Sequence, residues 1–342
     1  MVVVAENIPL TTGFNDQSTL SRVHAYLIGA LQHDVQSPGK MLLDACLYAV
    51  GPQGKMVRPA LMLEACRAVG GNPDQILPAI AGTEYGHTAS LIHDDLIDGD
   101  AIRRGQESVH RRFGPDYAIL GGDYLIFQTY HCFTRCAALG VPADRVVRAI
   151  ALLSETCMHM CEGQAVETEL VGNCDATPEL YLTVIRLKTA SFLASSAQIG
   201  AVLGGGDEPV VEALGRYGEN LGMAFQVIDD LLCYTESTEI IRKSTSSDLG
   251  NRRVTLPIIY GLEGMTSPQR EWVRGLFAQP RPDLTLQPRL TALLATTGAL
   301  DRARQVALNF ARTARLHLES LPPSASRQQL SALVDLAVHR HS

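Results

Sequence analysis

LPAIAGTEYGHTASLIHDDLID, residues 77–98, places Leu77, Ile80, Ala81, Tyr85, Thr88 and Ile92 at the three- and four-residue spacing of one helical face. The stretch ends in three carboxylates. Asp94 and Asp98 stand at i and i+4 and share a face, with Asp95 about 100° round the axis. Like charges at that spacing cost a helix roughly a few tenths of a kcal/mol, and burying unpaired carboxylates costs far more. Such a cluster on an apolar helix needs a counter-ion. Oxygen-only ligation favours Mg2+ over zinc, and Mg2+ commonly bridges protein carboxylates to substrate phosphates. A solvated acidic helix end is the competing reading.

The same periodicity runs through Val146, Val147, Ile150, Leu153 and Cys157, while strand-like alternation is scarce. Glycine and proline fall between periodic stretches, at Gly51 to Gly54, Gly70 to Pro73, Gly114-Pro115, Gly140 to Pro142, Gly204 to Pro209 and Pro280 to Pro288, and mark helix boundaries. Thr177-Pro178-Glu179 reads as an N-cap, a proline at the first helical position and an acidic first turn, opening a helix through Lys188 towards Ile199. The expected fold class is all-α, a large antiparallel helix bundle. The 342 residues are 46% hydrophobic and carry no Pro/Gly/Ser-rich linker, so a tail (residues 1–20) followed by a single domain (21–342) is expected.

The formal net charge of -7 makes a general nucleic-acid binder an unsuitable reading. No secretory signal and no membrane span is legible, so a cytoplasmic location is expected. Eight cysteines without a C-x-x-C pair are expected to be reduced thiols. Cys132/Cys136 and Cys157/Cys161 could in principle meet around zinc, but on apolar helix faces they read better as small hydrophobes.

A second acidic pair lies in FQVIDDLLCY, residues 225–234, where Asp229 and Asp230 are adjacent and Gln226 stands one turn before Asp230. At i+4 from Asp229 is Cys233, a soft thiol and a poor ligand for a hard cation. Around the acids stand Lys55 and Arg58 in GKMVRP, Arg103 and Arg104, Lys188 beside Thr189, and Lys243. Arginine offers several planar donors to phosphate oxygens and lysine a compact charge, which is the inventory of a diphosphate site.

GKMVRP, HTASLIHDDLID, the RRG of residues 103–105, the GDYL of 122–125, Gly163-Gln164, the KTA of 188–190, FQVIDD and DLGNRRVTLP together resemble, in order, the motifs of the trans-isoprenyl diphosphate synthases of the polyprenyl synthetase family. The resemblance covers roughly residues 40 to 260. It implies the isoprenoid synthase type of helix bundle, with a deep central cavity and the two aspartate motifs facing each other at its mouth. Isopentenyl diphosphate would be held by Lys55, Arg58, His87 and Arg104. Asp94, Asp95 and Asp98, with Asp229 and Asp230 opposite, would hold Mg2+, three ions per site, on an allylic diphosphate (dimethylallyl, geranyl or farnesyl). Arg103, Lys188, Thr189, Gln226 and Lys243 would bind that same diphosphate. Asp94, Asp95, Lys188 and Asp229 would be the residues most directly engaged in catalysis, in a homodimer.

Three departures stand out. Cys233 replaces the last aspartate of the second motif, Arg242 replaces a glycine before Lys243, and Arg252-Arg253 replaces a Gly-Lys pair. Ala89 and Ser90, five and four positions before Asp94, are small where bulky aromatics would stop chain growth near C15. The resemblance therefore implies geranylgeranyl diphosphate, C20, with Phe127 or Tyr130 as the next floor of the channel. Two other functions fit parts of the pattern. A terpene-cyclase-like lyase would ionise the allylic substrate without isopentenyl diphosphate, against which the set Lys55, Arg58, His87 and Arg104 argues. A weakly active regulatory subunit of a heteromer is suggested by Cys233.

Overall fold

The computed structural model describes residues 17–32, 38–52, 54–235 and 248–339. The expected all-α class holds: α1 (Gln17–Gln32), α2 (Lys40–Val50), α3 (Val57–Ala68), α4 (Pro73–Asp98), α5 (Val109–Phe113), α6 (Pro115–Ala138), α7 (Ala143–Glu169), α8 (Pro178–Ile185), α9 (Ser191–Gly204), α10 (Glu208–Thr235), α11 (Leu256–Gly264), α12 (Ser267–Ala278), α13 (Gln287–Thr296), α14 (Ala299–Leu318) and α15 (Ala325–Val338). Each glycine- or proline-bearing boundary inferred from sequence falls at or within a residue or two of a helix end. Helix α1 begins inside the expected 1–20 tail, and residues 1–16 lie outside the described residues. Among the described residues no helix is long and apolar enough to cross a membrane. All eight cysteines are thiols, and Cys132 and Cys136 are buried.

Among the described residues, two departures from plain α-helix lie near the motifs. Thr177 does cap α8, its hydroxyl accepting from the Leu180 N–H at 3.2 Å, but the helix expected to continue to Ile199 is interrupted by a π-helical turn at Arg186–Ala190. Such turns add one residue to a helical turn and swing the side chains around it to new directions, and they concentrate at functional sites. Between α4 and α5 a two-stranded hairpin, β1 (Ile102–Arg103) and β2 (Gln106–Glu107), turns through Arg104 and Gly105. Both turn residues have positive φ, 51° and 77°, the requirement of the tight turn that suits hairpin twist.

The chain divides into two compact units. The first comprises the residues to Ala151 with Ser196–Val211 and Pro323–Ala332. Its axis is the antiparallel pair α4 and α6, brought close by two glycines. A Cβ at Gly82 would lie 3.1 Å from the Cys132 Cβ, and one at Gly122 would lie 2.1 Å from the His93 Nε2. Helix α4 starts at an Asn72 cap, which accepts from the Asp74 N–H at 3.0 Å, and ends at Gly99 in the left-handed region, φ 71°. That helix therefore stops directly after Asp98. The buried Tyr85 hydroxyl ties α4 to α1 by donating to the Leu27 carbonyl at 2.6 Å.

The second unit comprises Leu152–Ser195, Glu212–Pro322 and the chain from Leu333 onward. Its core gathers Tyr234, Leu249, Ile258, Phe277, Leu290 and Leu294, all buried. The stretch beyond residue 265, without a readable motif, thus supplies helices that bury apolar surface beneath the second aspartate pair. Helix α10 approaches the 190–194 backbone closely, since a Cβ at Gly222 would lie 2.6 Å from the Ala190 Cα and one at Gly218 2.6 Å from the Leu193 carbonyl.

Candidate active site

In the first unit the acidic end of α4 meets the hairpin. Asp95 is buried, and Asp94 and Asp98 are half-buried. The Arg103 Nε donates to the Asp95 Oδ1 at 2.7 Å, its second nitrogen touches the same oxygen, and Asp100 lies 3.5 Å from it. Burial raises the Asp95 carboxyl above its ordinary range, partly offset by Arg103. Arg104, in the left-handed conformation of the hairpin turn, points elsewhere. Its guanidinium donates to the Pro52 carbonyl at 3.0 Å and fills the place a side chain on Gly54 would need, a Cβ there lying 2.6 Å from the Arg104 Nη2.

Arg104 thereby joins Arg58 and His87 in a basic cluster with Lys55 exposed on the same loop. Burial lowers the Arg58 guanidinium to about 10, with Glu84 opposing that shift. Burial first, then Arg58, Arg104 and Arg103, hold His87 well below the ordinary histidine range, so His87 is neutral. Its Nδ1 is buried with no hydrogen-bond partner. An orphaned polar atom in a cationic cluster is a place for an anionic ligand's oxygen or a water. Sequence reasoning missed Glu84, fully buried and raised by desolvation against Arg104 and Arg58. It looks like one more residue of an apolar helix face.

Ala89 is fully buried, and the Ser90 hydroxyl donates to the His87 carbonyl at 2.8 Å. Phe127 requires a correction: its side chain is 70% exposed, so it does not floor a buried channel in this chain. The register set by Gly82 against Cys132 and His93 against Gly122 brings the buried Leu125 level with Ala89. Facing shifts by about 100° with each residue, so side-chain size alone does not tell which face Phe127 occupies.

In the second unit a hydrogen-bond chain runs through the second motif. The Thr189 hydroxyl donates to the Gln226 Oε1 at 3.0 Å, the Gln226 amide donates to the Asp230 Oδ1 at 2.8 Å, and the Tyr181 hydroxyl donates to the Asp230 Oδ2 at 2.5 Å. Asp230 is buried, whereas the adjacent Asp229 is exposed. Burial, then Asp248, pushes the Asp230 carboxyl well above its normal range. Asp248, buried and accepting from the Thr255 hydroxyl at 2.8 Å, is pushed up to about 6 by burial. Sequence reasoning passed over Tyr181 and Asp248; the latter stands in the quoted DLGNRRVTLP, where its three-dimensional place beside the aspartate pair could not be seen.

Lys188 donates to the Glu167 Oε2 at 2.6 Å, and Arg253 lies 3.6 Å from that oxygen. Arg252 occupies the left-handed region, φ 56°, where glycine sits comfortably, and its Nε donates to the Phe277 carbonyl at 2.9 Å. Lys243 and Arg242 lie outside the described residues.

Among the described residues no three His, Cys, Asp or Glu side chains form a ready-made metal cage. The donor chemistry nevertheless fits Mg2+, which uses one or two protein carboxylates and completes its shell with water and substrate phosphate. The negative charges of Asp248 and Asp229 raise the proton affinity of Asp230, and that of Asp229 raises Asp248, the sign of local negative charge around the second motif.

Residues 39–287 match the polyprenyl synthetase family. Over 299 residues the chain is 34% identical to the short chain isoprenyl diphosphate synthase of Methanothermobacter thermautotrophicus, covering 87% of this chain and 90% of that one. It is 32% identical over 321 residues to the octaprenyl diphosphate synthase of Escherichia coli, covering 94% and 95%. The polyprenyl synthase of Caulobacter crescentus, solved with calcium and isoprenyl diphosphate, is similar with a TM-score of 0.87 at 26% identity, covering 98% of each chain. The chain therefore belongs to the polyprenyl synthetase family and is a trans-prenyltransferase, of a family that in general joins isopentenyl diphosphate to allylic diphosphates with Mg2+.

Proposed function

We propose that the chain makes geranylgeranyl diphosphate, C20, in one catalytic domain spanning residues 21–342. The observation that carries this reading is that Ala89 and the half-buried Ser90, five and four positions before Asp94, are both small. A bulky stop is next met at Gly82, whose face is closed by Phe133 and Cys132, about 10 Å further from Asp94 along α4. Relatives bear names from geranylgeranyl to octaprenyl diphosphate synthase, so chain length is a property of this chain's own channel residues.

Lys55, Arg58, His87 and Arg104 would hold isopentenyl diphosphate, the neutral His87 offering its orphaned Nδ1. Asp94, Asp95 and Asp98, with Asp229 outward and Asp230 behind it, would hold Mg2+, three ions in the full site. When bound, Mg2+ supplies charge neutralisation for the departing diphosphate. Arg103, Lys188, Thr189, Gln226 and Lys243 would orient the allylic diphosphate and donate to its oxygens as the carbon–oxygen bond breaks. The isopentenyl double bond, held against the resulting allylic cation, forms the new carbon–carbon bond. A proton then leaves the adjacent carbon for the released diphosphate, and the product is five carbons longer.

A second copy of the chain would cover the exposed Ile119, Leu120 and Phe127 on α6, which supports a homodimer. The test is incubation with Mg2+, isopentenyl diphosphate and farnesyl diphosphate, with mass analysis of the products. C20 is expected to dominate; a product ladder running to C30 or beyond would reject the C20 assignment.

A further inference from the structure

We propose that Glu167 is a positioning residue that holds Lys188 and Arg253 together as one cationic pair for the allylic diphosphate. This deepens the function above and rests on its placing of Lys188 at that diphosphate. Three separate elements converge on the carboxylate. Helix α7 presents Glu167, the π-helical turn presents Lys188, and the segment leading into α11 presents Arg253. Lys188 reaches the Glu167 Oε2 at 2.6 Å and Arg253 lies 3.6 Å from the same oxygen. The three side chains are only 17%, 22% and 24% exposed for Lys188, Glu167 and Arg253. Burial alone would raise the Glu167 carboxyl; Arg253 and Lys188 outweigh it and hold it below its ordinary range.

The backbone is arranged for this contact. One turn before Glu167, a Cβ on Gly163 would lie 2.7 Å from the Lys188 backbone nitrogen, so only glycine lets α7 approach the π-helical turn this closely. The Arg253 segment is tied to the end of α7, where the Gly172 N–H donates to the Arg252 carbonyl at 2.8 Å. The single carboxylate is shared between two cations, and Asp248 also lies within electrostatic reach of Arg253. Without the carboxylate the same two cations repel each other and lose their shared anchor. Glu167 therefore acts through Lys188 and Arg253 rather than on substrate.

The experiment compares E167Q, E167D, K188Q, R253Q and E167Q/K188Q in the full chain, with thermal melting as a check on folding. E167Q should lower kcat/KM for farnesyl diphosphate by about 10- to 100-fold, the usual effect of losing a carboxylate that orients a working group, while KM for isopentenyl diphosphate stays within about 2-fold. E167D should recover most of the loss. In the K188Q background, adding E167Q should cost no more than about 3-fold, because the group it acts through is gone. An E167Q loss of equal size with and without Lys188, or one shared equally by both substrates, would overturn the proposal. Should E167Q melt below the assay temperature, the partial recovery in E167D and a matching, substrate-selective loss in R253Q decide it; no such selectivity overturns it. If K188Q retains the full rate, the placing of Lys188 itself fails, an outcome separable from a failure of Glu167 alone.

Discussion

Replacing Cys233 with aspartate adds a carboxylate to a region that already holds Asp229, Asp230 and Asp248. The Cys233 thiol is half-buried and donates to the Asp229 carbonyl at 3.9 Å. Burial, followed by Asp248, Asp230 and Asp229, pushes it far above the ordinary thiol range, so it is neutral. An aspartate there meets the surroundings of Asp248, whose carboxyl rises from 3.8 to about 6. About two pKa units at roughly 1.4 kcal/mol each give about 3 kcal/mol. A carboxyl raised in the folded state keeps its proton where the unfolded chain has lost it. The penalty is therefore full above about pH 6 and vanishes as pH falls towards about 4. Without metal, C233D should be less stable than the parent by about 3 kcal/mol at pH 7.5, with the gap closing at lower pH. Mg2+ should narrow the gap, since a cation bound only by the folded state stabilises it by mass action. Urea denaturation in EDTA and in saturating Mg2+ measures both effects, with turnover at saturating Mg2+ expected to equal or exceed the parent's. No destabilisation in EDTA, or a collapse of turnover in folded, Mg2+-loaded C233D, would refute this reasoning.

A89F should shift the product towards farnesyl diphosphate without abolishing turnover, because Ala89 lies on the tail side of Asp94; an unchanged distribution by mass analysis contradicts the channel assignment. Y181F removes the 2.5 Å hydrogen bond to the buried Asp230 and leaves that buried oxygen short of a partner, a loss of about 1–3 kcal/mol. It should raise the Mg2+ concentration needed for half-maximal rate, and an unaltered Mg2+ titration would count against the positioning role of Tyr181. His87, held below its unfolded value of 6.5, contributes stability that is present above about pH 6.5 and lost as pH falls. Urea midpoints between pH 7.5 and 5 should decline less steeply in H87N than in the parent, and parallel curves would argue against a neutral buried His87.

The body of helix α4 was legible because its signals are local, an apolar face between the boundary at Gly70 to Pro73 and the acidic cluster, while its Asn72 cap and Gly99 stop emerged with the fold. The π-helical turn at Arg186–Ala190 was not, since Lys188 and Thr189 are displaced by packing against Gly163 and by hydrogen bonding to Gln226, both distant in sequence. The aspartates and arginines announced themselves by charge on an apolar background. The residues that hold them did not. Glu84, Glu167 and Tyr181 read as ordinary members of amphipathic helices, and only folding shows a carboxylate between cations or a phenol against Asp230. Phe127 failed for a related reason, because its exposure depends on helix facing that its own size does not reveal.

The central proposal is that Asp94 and Asp229 are each needed for Mg2+-dependent ionisation of the allylic diphosphate. Incorporation of labelled isopentenyl diphosphate into longer prenyl diphosphate, with farnesyl diphosphate and Mg2+, measures it most directly in the parent, D94A and D229A. Both variants are expected to fold normally and to lose turnover by about a thousandfold or more, as befits charge stabilisation removed from a bond-breaking step. Near-full incorporation in either variant would contradict the account.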